Sequence, residues 1–64
     1  MIWMVTRRDD NGNIILVQDT LTDEYSMYLV ELLTNRGHKQ NYERFCYSDS
    51  DSRKTIICAL NIKE

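Results

Sequence analysis

The side chains best suited to chemistry in this 64-residue chain are few and scattered. His38 is the single histidine, Cys46 and Cys58 are the thiols, and Asp9-Asp10 and Asp49-Ser50-Asp51 hold the closely spaced acids. A catalytic nucleophile needs a base within hydrogen-bonding reach and a third group to orient that base; no serine or cysteine stands at a known spacing from His38. General acid–base work needs a walled pocket that shifts a carboxylate's pKa, and Asp9-Asp10 fall in a turn. Two thiols and one histidine are one ligand short of a four-coordinate zinc site. Asp49-Ser50-Asp51-Ser52 opens like a calcium loop. However, Arg53 and Lys54 stand where its glycine turn belongs, and Leu60 where its bidentate glutamate belongs. The sequence therefore predicts no enzyme, no metal and no cofactor.

What remains is binding chemistry. Arg36-Gly37-His38-Lys39-Gln40-Asn41-Tyr42-Glu43-Arg44 is the locally basic stretch. With Phe45 and Tyr47 it offers cations beside aromatic rings, the combination that holds single-stranded nucleic acid. A formal net charge of −2 runs against such a role, since nucleic-acid binding needs a basic footprint. A protein partner is the first expectation, and a small RNA or single-stranded nucleic-acid binder the alternative.

These residues need elements to position them. Asn11-Gly12 between two β-branched, apolar runs is the preferred pair for a type I′ turn, which predicts a hairpin with strands near 2–9 and 13–20. Thr20 and Thr22 offer N-cap hydroxyls, with Asp23 and Glu24 suited to a helix N-terminus. Tyr25, Tyr28, Leu29, Leu32 and Leu33 then recur at helical spacing, so a helix runs over about 22–36 and Gly37 is its stop. Tyr42–Tyr47 reads as a strand and Ser48–Ser52 as a polar loop. Ile56, Cys58, Leu60 and Ile62 alternate as in a further strand over 55–62. The expectation is a single α+β domain, ββαββ, with four antiparallel strands and one helix on one face. Tyr25, Leu29, Leu32 and Leu33 would be buried against Ile56, Leu60 and the hairpin.

That architecture leaves one sheet face open, yet the strands carry apolar residues on both sides. Ile2 and Met4 oppose Trp3 and Val5, and Ile14 and Leu16 oppose Ile15 and Val17. A solvated antiparallel face should read polar, so the open face is expected to meet a second copy or another protein. The candidate partner-binding residues are Trp3 and Val5 on that face, Arg36, His38, Lys39 and Tyr42 along the basic stretch, and Arg44, Phe45 and Tyr47 after it. The predicted function is a non-enzymatic interaction module, an inhibitor or adaptor that also self-associates. A purely structural homo-oligomer is a further alternative.

Composition sets the remaining bounds. At 42% hydrophobic and 28% charged the chain is of the folding kind, though 64 residues is near the lower limit for folding unaided. No apolar run reaches the roughly 20 residues of a membrane span. Arg7 and Arg8 follow the short apolar start rather than precede it, unlike a secretory signal. The chain is thus expected in the cytoplasm, with Cys46 and Cys58 as reduced thiols.

The run Trp3-Met4-Val5-Thr6-Arg7-Arg8-Asp9-Asp10-Asn11-Gly12-Asn13, followed by the helix and by Arg36-Gly37-His38-Lys39-Gln40-Asn41-Tyr42, resembles short bacterial and phage proteins built as hairpin, helix and strand. The likeness spans roughly residues 3–45 and implies the hairpin, helix and strand of the fold; a phage-encoded factor acting on a host protein is an expected example of such a small inhibitor or adaptor. The strand, helix and Gly-ended helix turn also resemble part of a peptidoglycan-binding SPOR domain; that family has two helices where this sequence predicts one.

Overall fold

The computed structural model describes residues 1–36 and 41–64. The elements run β1 (Ile2–Arg8), β2 (Ile14–Leu21), α1 (Asp23–Asn35), β3 (Asn41–Tyr47) and α2 (Ser50–Leu60). The class is α+β, but among the described residues the sheet has three antiparallel strands in the order β2-β1-β3, and there are two helices.

The correction falls on the C-terminal third, where a strand was expected over 55–62. Asp49, assigned to a loop, is an N-cap whose carboxylate accepts from the Ser52 N–H at 2.8 Å. The helix stops at Asn61 in the left-handed region (φ 54). The Ile62 N–H reaches back to the Ile57 carbonyl at 2.9 Å, the 6→1 bond of a Schellman cap. Ile56, Ile57 and Leu60 fit a helical face as well as Ile56, Cys58 and Leu60 fit a strand; so short an apolar run is ambiguous by periodicity, and the two caps decide it.

The hairpin forms, with a different turn. The Gly12 N–H donates to the Asp9 carbonyl at 3.1 Å and the Asp9 N–H to the Asn13 carbonyl at 3.0 Å. Gly12 has φ 82 while Asn11 is not in the positive region. One left-handed glycine after a four-residue turn is the three-residue hairpin loop, not type I′. The Asp9 carboxylate locks it by accepting from the Asn11 and Asn13 N–H groups at 2.9 and 2.8 Å. β2 then slips register against β1 twice, between Val5 and Thr6 and between Trp3 and Val5. Val17 is the extra residue of the first bulge. Thr20 lies in the second with φ 61, a strained position for a β-branched residue.

The sheet is covered on both faces. Met4, Tyr47 and Ile62 form an apolar cluster with Ile2, Ile14, Leu16, Phe45, Ile56 and Ile57, which places α2 on the Met4 side. Alternation sends Trp3 and Val5 to the other side, where Arg44 joins Trp3 to the start of α1. Two-sided cover explains why Met4, Val5 and Thr6 are buried in succession. The face expected to be open is thus closed by a helix, and Val5 is 0% exposed. The molecule measures 34 × 28 × 12 Å.

α1 begins one residue after its cap, Thr22, whose hydroxyl accepts from the Tyr25 N–H at 3.1 Å. Its inner stripe is Ser26, Leu29, Val30 and Leu33, with Ser26 fully buried and the other three half-buried. The expected face centred on Tyr25 is therefore rotated: Tyr25 is 48% exposed, and Ile56 and Leu60 lie across the sheet from α1.

Candidate functional site

β3 is the element on which the candidate residues converge. Its register against β1 sets Val5 opposite Arg44, Trp3 opposite Cys46, Met4 opposite Phe45, and Ile2 opposite Tyr47. Tyr42 and Arg44 therefore share the α1 side with Trp3 and Val5, while Phe45 and Tyr47 lie on the α2 side. Arg36 is the C-cap of α1. His38 and Lys39 lie outside the described residues.

Arg44 is engaged within the chain through Nη1 and through the Trp3 ring. Its guanidinium carbon sits 4.2 Å from the centroid of the Trp3 ring, a cation–π distance. Its Nη1 donates to the Asp23 carboxylate at 2.6 Å and to the Ser26 hydroxyl at 3.0 Å. The Ser26 hydroxyl in turn donates a hydrogen bond to the Asp23 carbonyl at 2.7 Å. The cation thus fastens the N-terminus of α1 to the sheet over the tryptophan.

On the other side, Tyr47 is buried and donates to Asp19 Oδ1 at 2.5 Å. Arg53 Nε donates to Asp19 Oδ2, also at 2.5 Å, and the same guanidinium pairs with Glu64. Burial pushes the Asp19 carboxyl up, but the hydrogen bonds from Tyr47, Arg53 and the Thr20 N–H outweigh it and hold it below the usual carboxylate range. Burial, then the bond to Asp19, pushes the Tyr47 phenol above its ordinary value. Bonds to Asp19 and then Glu64 raise Arg53 further. This network joins β2, β3, α2 and the C-terminal residue; every buried polar side-chain atom among the described residues has a partner.

In both arrangements the charged groups are committed to partners within the chain. Both Asp19 oxygens are taken, and the cations answer acids of the same chain. Among the described residues no three histidine, cysteine, aspartate or glutamate side chains gather as a metal site, and Cys46 and Cys58 are free thiols. Phe45 and Tyr47 point away from Tyr42, so the three rings do not make one stacking surface. No described helix is long and apolar enough to cross a membrane.

The surface the sequence reading missed is the outward stripe of α1. Glu24, Met27, Tyr28 and Glu31 follow i, i+3, i+4, i+7 and are all exposed, Met27 by 55% and Tyr28 by 58%. Tyr25 flanks them with its ring 6.1 Å from that of Tyr28. Asp23–Asn35 holds three acids and no lysine or arginine. The signal was present in the sequence: shifting the helical stripe by one residue exchanges Tyr25 for Ser26 as its buried centre.

No family model, no curated protein and no solved structure matches this chain. The likeness to short bacterial and phage proteins and to SPOR domains rests on the quoted residues alone.

Proposed function

We propose that this chain is a non-catalytic protein-interaction module, an inhibitor or adaptor that works by occupying a surface of another protein. The observation that carries the reading is the outward stripe of α1. Tyrosine and methionine are enriched at interface centres, and large exposed aromatics supply much of the binding energy where they enter a pocket. Here they are framed by Glu24 and Glu31 on a helix with no positive side chain. The partner this fits is a protein surface with an apolar pocket ringed by lysine and arginine. The contact moves from the sheet face to α1, because Val5 is sealed and Trp3 lies under Arg44. With Arg44 paired to Asp23, the nucleic-acid alternative loses its best-placed cation.

The test is capture of a partner from host lysate by the tagged full chain, with and without nuclease, alongside Tyr28→Ala and the double variant Glu24→Lys/Glu31→Lys. One stoichiometric protein that survives nuclease, is released by salt and is lost in both variants supports the reading. Capture that both variants leave intact removes α1 from it. Recovery of nucleic acid instead turns the reading to the alternative.

A further inference from the structure

The two edges of the sheet are finished differently. The outer edge of β2 is broken by two bulges, and Lys63 runs parallel to it. The Leu16 N–H donates to the Lys63 carbonyl, and the Lys63 N–H to the Ile14 carbonyl, both at 2.8 Å. β3, the other edge, keeps unbroken register with β1 over seven pairs. The devices that normally blunt an edge are proline, charged side chains (lysine above all), a bulge or a covering segment. Asn41–Tyr47 contains neither proline nor lysine, and its two charges, Glu43 and Arg44, are paired with Arg8 and Asp23 of the same chain.

The register also fixes which groups face outward. Backbone N–H and C=O groups alternate sides along a strand. Ile14 and Leu16 bond outward to Lys63, so Ile15 bonds inward to Arg7. Thr6 and Arg8 then face β3 and bond Glu43 and Asn41. That leaves the N–H and C=O of Tyr42, Arg44 and Cys46 on the free edge, where they meet no partner among the described residues.

We propose that this edge pairs antiparallel with β3 of a second copy, about a two-fold axis at Phe45, to give one continuous six-stranded sheet. A two-fold contact must be self-complementary, and like charges set directly opposite across strands are destabilising. Centring the pair on Glu43 opposes two carboxylates, and centring it on Arg44 opposes two guanidinium groups. Centring it on Phe45 opposes the two phenylalanine rings at a close, non-hydrogen-bonded position. Arg44 then faces Cys46 and Glu43 faces Tyr47, so no like charges meet. The outward groups of Arg44 and Cys46 bond one another across the axis.

The experiment has two arms on the full chain. In sedimentation equilibrium the 7.6 kDa chain should show mass rising toward twice that value with concentration. Cys46→Pro removes one outward N–H and no bond of the β1 ladder, and should weaken the dimer at least about tenfold; Cys46→Ser controls for loss of the thiol. In a Cys46→Ser/Cys58→Ser background, Phe45→Cys should give a disulfide-linked dimer under mild oxidation. Glu43→Cys should not, because the two positions would be about 14 Å apart at about 3.4 Å per residue. A monomer at millimolar concentration, a dimer indifferent to Cys46→Pro, or equal cross-linking at 43 and 45 overturns the proposal. Should the cysteine variants not fold, amide exchange in the unaltered chain decides. Tyr42, Arg44 and Cys46 must slow with concentration, and exchange independent of concentration refutes the pairing. The Glu24→Lys/Glu31→Lys variant should dimerise normally, so this pairing and the α1 contact fail separately.

Discussion

The two faces of the sheet are closed by different balances of apolar and polar contact. Under α2 the contact is apolar: Met4, Tyr47 and Ile62 meet Ile56 and Ile57, and the ion pairs sit at its margin. Under α1 the N-terminal end of the contact is polar, with Ser26 against the sheet and Arg44 held between Trp3 and Asp23, while Leu29, Val30 and Leu33 continue it as an apolar stripe. A small side chain lets α1 approach closely, and one cation fastens its end. A short chain thus covers both faces of its sheet, with polar fastening at one end of one cover and at the margin of the other.

The sharpest way to break this contrast is to delete bulk on the α2 side. Met4 is 0% exposed, and Met4→Ala should cost about 2–5 kcal/mol, enough to unfold much of so small a protein; thermal melting by circular dichroism reads it. Adding bulk on the α1 side comes next. Ser26→Leu should cost about 1–3 kcal/mol by lifting α1 away, and Trp3 fluorescence should shift to the red as its cover loosens. Equal losses from Ser26→Leu and Ser26→Ala would mean that the hydroxyl, not its size, sets the approach.

A smaller effect separates the margins by pH. The Asp19 carboxyl is held low in the folded chain, so its contribution is complete above the unfolded aspartate value of about 3.9 and is lost as pH falls through the folded value. Tyr47, held high, loses its contribution as pH rises above about 10. Asp19→Asn should lower stability at neutral pH by about 1–2 kcal/mol and flatten the acid limb of melting temperature against pH; an unchanged limb would assign acid sensitivity to other groups. Smallest of all, Thr20→Gly should raise stability by about 0.5 kcal/mol by relieving a positive φ, and a lower melting point would show that Thr20 makes a contact worth more than its strain.

Much of this architecture could be read from residues, and its failures have physical causes. Thr22, Asp23 and Glu24 marked the start of α1, and Tyr42–Tyr47 marked β3 to within one residue. The alternation in β1 marks burial on both sides, but the strand-like spacing of 55–62 leaves the second cover to another molecule. Asp49 was the missed clue. An aspartate three residues before Ser52 is an N-cap pattern, and taking it so would have supplied the second helix. Within the candidate site, Arg44 stood out as a cation, but its pairing with Asp23 spans 21 positions and depends on a strand register that no local signal specifies.

Three consecutive buried residues in the middle strand have a kinetic consequence. Met4, Val5 and Thr6 lie in the middle strand, which is paired on both sides, and are at most 1% exposed. Their deuterium uptake should proceed only through complete unfolding. The slowest-exchanging amides of β1 then report the free energy of the whole chain, without denaturant and without extrapolation.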